Sequence, residues 1–206
     1  MSDLARRNRT SKGDFGSILN GRRLAVTRTI AAIGFCVVIF LIGWLIYHSN
    51  RSIFSIVAAL GCIPAGWSAV NMIMLLRARP CSAEAHEQIE RVRGGLLVYY
   101  DLEMTSYERN YHIASATVLE RNVCLFSEDT AIVPTECERH VREQLAQGGY
   151  SDVTVKLFTE LGRYCDRLSQ LEKTRAARGL DPVAEEAAWV PGTRQTCAGI
   201  LLSISL

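Results

Sequence analysis

The chain has 206 residues, 49% of them hydrophobic and 21% charged, with a formal net charge of +2. That length allows one independent core of ordinary size beside other segments, and the seven cysteines are too dispersed to build a disulfide framework. The charge is unevenly placed: residues 1–76 hold eight Lys/Arg against two Asp/Glu, whereas residues 77–206 hold 15 against 19.

The first 28 residues form a polar, basic arm, and the lack of apolar periodicity over residues 1–21 predicts flexibility there. Phe15 is the one aromatic in the arm, so bases would have no stacking platform and no nucleic-acid partner is expected. Residues 29–47 and 53–76 then contain no charged side chain and are separated by His48-Ser49-Asn50-Arg51-Ser52. A hydrocarbon core of roughly 30 Å needs about 20 helical residues, so the two stretches predict a transmembrane hairpin. A cleavable signal sequence fits poorly, because the apolar run is too long and leads directly into a second one. Arg22, Arg23 and Arg28 precede the first span and Arg77 and Arg79 follow the second, against Arg51 alone in the hinge. This bias predicts a two-pass protein of the plasma (inner) membrane with both termini cytosolic.

Within the second span, Ala58, Cys62 and Gly66 recur every four residues, as do Gly61, Ala65 and Ala69. Small residues at that spacing let helices approach closely, either within the hairpin or between two copies of the chain. The expected partners are therefore the lipid bilayer, a second copy through the hairpin, and an unidentified protein. The spans carry no ionisable group, which argues against a transport path.

Residues 77–206 read as a cytosolic α+β domain in the order α-β-β-β-α-β-α-α-β, with a mainly antiparallel sheet and helices gathered on one side. A short helix over 83–92 precedes Gly94-Gly95, and a strand over 96–104 alternates Leu96, Val98, Tyr100 and Leu102 against Leu97, Tyr99, Asp101 and Glu103. Strands over 113–118 and 123–126 flank a hairpin loop at Glu120-Arg121-Asn122. Thr135 and Glu138 have capping-box spacing ahead of a helix that Gly148-Gly149 stops. Residues 152–158 alternate as a half-buried strand, and Thr159 caps a helix whose face is Leu161, Tyr164, Cys165, Leu168 and Leu171. Asp181-Pro182 opens a short helix through Trp189, and the apolar tail 197–206 suits a buried strand.

The best chemical constellation is Tyr99, Asp101 and Glu103 on one strand face, followed by a polar loop, Tyr107 to Tyr111, and His112. Two carboxylates two residues apart can bind a metal or divide acid and base work, although a solvated sheet surface carries the same residues without chemistry. No cofactor fingerprint, Walker loop or nucleophile elbow occurs. Cys137 and His140 share a helical face but lack a third and fourth zinc ligand. The order of elements overlaps the core of restriction-endonuclease-like nucleases, yet the second strand has no carboxylate and the third has no Glu-x-Lys.

Arg79-Pro80, Glu84-Ala85-His86, Gly94-Gly95-Leu96-Leu97-Val98-Tyr99-Tyr100-Asp101, Tyr107-Glu108-Arg109, Gly149-Tyr150-Ser151-Asp152-Val153-Thr154-Val155-Lys156 and Ile204-Ser205-Leu206 resemble uncharacterised two-span membrane proteins of clostridial, Gram-positive bacteria. That resemblance covers most of the chain after the first span and implies no established activity. The residues point first to a membrane-anchored cytosolic interaction or regulatory module without a cofactor. The alternative is a membrane-anchored metal-dependent hydrolase using Asp101, Glu103 and His112.

Overall fold

The computed structural model describes residues 12–47, 53–106, 109–190 and 193–205. The chain divides into two compact units, Ile18–Ala78 and a second made of Met1–Ser17 with Arg79–Leu206. It is an α+β protein: two long apolar helices form a hairpin, and a four-strand mixed sheet packed with helices follows.

The hairpin consists of α1 (Ser17–Tyr47) and α2 (Ile53–Arg77), both long and apolar enough to cross a membrane. The expected hinge at 48–52 lies outside the described residues. Helix α1 begins before residue 29, so Arg22, Arg23 and Arg28 are helical rather than part of a flexible arm. The reason is visible along the seam. Arg22, Thr29 and Cys36 are spaced by seven, as are Gly61, Ser68 and Leu75, and they meet in antiparallel pairs. A Cβ on Gly61 would stand 3.0 Å from Cys36 Sγ. Thr29 Oγ1 lies 2.9 Å from Ser68 Oγ and donates to the Ser68 carbonyl at 3.1 Å. Arg22 Nε donates to the Leu75 carbonyl at 2.8 Å, and its guanidinium also reaches the Ala78 carbonyl. A seven-residue period is the geometry of left-handed helix pairing, and it extends α1 back toward Ile18.

Six helical or strand pieces and one further strand build the other unit around a sheet of order β1-β2-β3-β4. They are α3 (Ala83–Val92), β1 (Val98–Thr105), β2 (Asn110–Leu119), β3 (Asn122–Phe126), α4 (Pro134–Gln147), β4 (Thr154–Phe158) and α5 (Leu161–Arg178). The short helices α6 (Pro182–Ala187) and α7 (Cys197–Ile204) complete it. β1, β2 and β3 pair antiparallel, but β4 runs parallel to β3, because α4 provides the crossover that a parallel neighbour requires. The sheet is therefore mixed. Its two faces are both covered, α4 and α7 over Leu125, Val155 and Leu157, and α3 and α5 over Tyr100, Cys124 and Phe126. Helices on one side only, as expected from the sequence, would have left half of these strand residues in water.

Three local expectations fail for stated reasons. The tail forms α7 rather than a strand, because Thr196 Oγ1 accepts the Gly199 amide at 2.9 Å and starts a helix; only Ser205 bridges to Met104. Glu138 does not close a capping box but accepts the Leu157 amide of β4 at 2.9 Å. Thr159 does not cap α5, whose N-cap is Glu160, whereas Gly179 ends that helix in the left-handed conformation at φ 64°.

Inside the α3/α5 face, the Tyr164 hydroxyl is wholly buried and lies 3.0 Å from Ser115 Oγ and 3.2 Å from Thr117 Oγ1. Burial pushes the Tyr164 phenol well above its ordinary value. Tyr164→Phe strands two buried hydroxyls, and a loss of about 1–3 kcal/mol is expected in denaturant unfolding of the whole chain.

Candidate functional site

β1 does not keep one alternation along its length. Val98 and Tyr100 face α3 and α5, but Leu102 and Met104 join Tyr99 in the opposite core cluster. β2 changes phase at the same level, with Ile113 in one cluster and Ala114 in the other, while Ser115 already faces Tyr164. The register is the same on either side, from Val98↔Thr117 to Tyr100↔Ser115 and from Leu102↔Ile113 to Thr105↔Asn110, and the ladder skips Asp101 and Ala114 between them. The turn comes from Asp101, whose φ of 57° is left-handed in mid-strand. Such a conformation costs an L-residue roughly 1–2 kcal/mol and persists only where surrounding contacts hold it.

Those contacts are two backbone amides. Asp101 Oδ2 accepts the Gly16 N–H at 2.8 Å, and Oδ1 accepts the Cys81 N–H at 2.7 Å. Asp101 is 4% exposed, so it is not part of a solvated strand face. Gly16 belongs to a strap, residues 12–16, that lies along the outer edge of β1. The Gly13 carbonyl accepts the Tyr100 amide at 2.7 Å, and Lys12 Nζ donates to the Ser205 carbonyl. Gly13 has φ 92°, and a Cβ there would fall 2.8 Å from both Leu202 and Tyr99. Phe15 stacks on His86 of α3 with centroids 3.9 Å apart, and His86 meets the Tyr100 ring edge-on at 4.7 Å. Of the arm expected to be flexible, residues 12–16 make these long-range contacts and residues 17–21 belong to α1; residues 1–11 lie outside the described ones.

Glu103 faces away from Tyr99, sits 3% exposed, and hydrogen-bonds His112 Nδ1 directly across the strand pair. Burial pushes its carboxyl up, against the opposing pull of His112 and Arg79. Ser127 Oγ donates to the His112 carbonyl and fixes that residue's backbone. In front of His112 lies a cavity of about 210 Å³ bounded by Arg79, Pro80, Ala114, Glu128 and Asp129. Its charged rim is internally matched. Arg79 pairs with Asp129 at 3.5 Å, and Glu128 accepts Ser82 Oγ at 2.5 Å and Ser82 N at 3.2 Å.

The three sequence candidates therefore part company. Asp101 is held by two main-chain donors and Glu103 by His112, so the two carboxylates do not converge on one ligand. Tyr107 and Glu108 of the neighbouring loop lie outside the described residues. Among the described residues, no group of three or more His, Cys, Asp or Glu is placed to hold a metal ion. Cys137 is buried against the core, its thiol pushed up to about 12, while His140 leans on the Tyr111 ring. All seven cysteines are free thiols.

In the hairpin, Gly61 and Ala65 lie toward the seam, which continues through Ser68 rather than Ala69. Cys62 and Gly66 are exposed, and a Cβ on Gly66 would meet nothing within 4 Å. The side chain of Ala58 lies outside the described residues. Arg22 closes the end of α2, whereas Arg23, Arg28 and Arg77 are exposed.

Comparison with known proteins finds no matching family model, no matching curated relative and no matching solved structure.

Asp101→Ala leaves two amides without their acceptor and places alanine in a left-handed conformation; a loss of about 2–4 kcal/mol is expected in unfolding of the full chain. Asp101→Asn tolerates that conformation and keeps one of the two acceptors while setting an NH2 against the other amide, so a smaller loss than for alanine is expected. Because the folded-state pKa of Glu103 is raised, its contribution to stability is full below the ordinary value of 4.5 and is lost as pH rises through the higher folded value. Thermal unfolding of Glu103→Gln is expected to gain on the wild type as pH rises through that window, and a parallel pair of melting curves would refute the burial of an ionisable Glu103.

Proposed function

We propose that the chain is a membrane-anchored cytosolic interaction or regulatory module, two-pass, with both termini on the cytosolic side of the plasma membrane. The observation that carries this reading is the reversed polarity of the hairpin. Its inner seam holds Arg22, Thr29, Cys36, Gly61 and Ser68, while its outer surface presents Leu24, Phe35, Leu45, Ile63 and Trp67, the last two 71% and 79% exposed. A pair of helices in water would place those groups the other way round. In lipid there is no hydrophobic gain from burying large apolar residues between helices, so small and weakly polar ones line the contact.

The extramembrane unit supports a module in preference to an enzyme. Its buried carboxylates are engaged in holding the fold, and the segment entering α1 and the segment leaving α2 are both fixed to that unit at Asp101. A domain whose two connecting segments are both fixed within it is suited to presenting a surface or relaying a state.

One observation favours a second reading, a membrane-anchored hydrolase: Glu103 fixes His112 beside a cavity, the pairing by which a carboxylate orients a general base. Asp101 takes no part in that scheme.

The full-length chain is expected to stay with membranes through alkaline carbonate extraction, and reporters fused at both ends are expected to read as cytosolic. Recovery in the soluble fraction, or one end outside, would overturn the anchor or its topology. In the same membranes, His112→Ala is expected to preserve the cellular phenotype. Its loss with the chain still folded and anchored would favour the hydrolase.

A further inference from the structure

The strap at 12–16 and the segment at 79–82 end on opposite oxygens of one carboxylate, although Gly16 and Cys81 are 65 positions apart in the chain. We propose that Asp101 is a coupling residue: the two segments hold it jointly in its left-handed conformation, and release of either loosens the other. The coupling lies within the extramembrane unit and needs no membrane; what it is for rests on the anchored-module reading, since one segment leads into α1 and the other leaves α2.

Three features make the link two-way. The left-handed turn is unfavourable by itself, so a carboxylate that loses one amide is held by one bond against a strand that relaxes toward ordinary β geometry. Gly13, through its carbonyl, fixes the Tyr100 amide immediately before that turn, so the strap acts on the Asp101 backbone as well as on its side chain. The Cys81 amide is bonded beside Ser82, whose hydroxyl accepts the Ala85 amide at 3.1 Å and caps α3, the helix on which Phe15 of the strap stacks. Each segment therefore stabilises the surface on which the other rests. At this level both β1 and β2 change phase, so loss of the turn would rotate Glu103 and Leu102 relative to the two cores, and the state of the segments is written into the sheet.

The coupling is read by amide hydrogen exchange on the full-length protein in lipid nanodiscs. Two variants perturb the strap away from residues 79–82: Gly13→Ala, which crowds Leu202 and Tyr99, and Gly16→Pro, which removes the donor and cannot adopt the φ of 81° held there, so that it releases the strap from Asp101. Both are expected to speed exchange at the Tyr100 amide and, with it, at the Cys81 amide by about tenfold. Reciprocally, Ser82→Ala is expected to speed exchange at Gly16 by a similar factor, since linkage is symmetric. In an Asp101→Gly background, which permits the turn without a carboxylate, neither strap variant is expected to alter Cys81 further. Cys81 exchange within twofold of the wild type in Gly16→Pro would overturn the coupling, as would an equal response in the Asp101→Gly background. Retention of the protein in the nanodisc in all these samples keeps such a failure separate from any failure of the membrane anchor.

Discussion

The polarity of the helical hairpin constrains everything else. Two helices, uncharged over residues 29–47 and 53–76, place a threonine, a serine, a glycine and a cysteine between them and leave tryptophan, phenylalanine, isoleucine and leucine outside. At a coefficient of about 25 cal/mol per Å² of apolar surface, such an exterior is costly in water, and a lipid environment removes the cost. The seven-residue seam fits the same constraint: in lipid there is no hydrophobic drive toward the partner helix, and close approach with a few hydrogen bonds defines the pairing. Arg22 satisfies carbonyls at the end of α2 that would otherwise lack donors, so this residue has a structural task in the hairpin.

In the α+β unit the corresponding organiser is Asp101. A carboxylate taken out of water is tolerated when donors surround it, and here they come from the chain on either side of the hairpin. This arrangement explains three features together: the left-handed residue in mid-strand, the change of face in β1 and β2, and the ordering of a polar strap that has little apolar content of its own. The side of the sheet on which Glu103 lies is a consequence of that change of face. The turn carries Glu103 away from Tyr99, and the strand register sets it opposite His112, where burial raises its carboxyl and the cross-strand partner opposes the rise.

The hairpin and the sequence of elements up to α5 were legible because their signals are local: absence of charge, periodicity of 3.6 or 2, and turn residues. What escaped depends on partners distant in the chain. Nothing around Asp101 announces a left-handed residue, since its conformation is set by amides 85 and 20 positions away. Strict alternation therefore misassigned Leu102 and put Tyr99 beside Glu103. The strap had a weak local signal in Gly13-Asp14-Phe15-Gly16, two glycines around an aromatic, which marks a turn rather than a disordered arm. The apolar tail was equally compatible with strand and helix, and the Thr196 cap decided it. Glu138 was in capping-box spacing, but a free amide on the edge strand β4 competed successfully for its side chain.

The most direct measurement is the solvent that surrounds α2. With the full-length protein in bilayers, a spin label is placed at Trp67 in one sample and at Ser68 in another, and its relaxation by oxygen and by a water-soluble nickel chelate is compared. The predicted result is strong oxygen and weak nickel relaxation at position 67, with neither reagent effective at the seam position 68. Strong nickel relaxation at position 67 would place the apolar face in water and contradict a membrane-embedded hairpin.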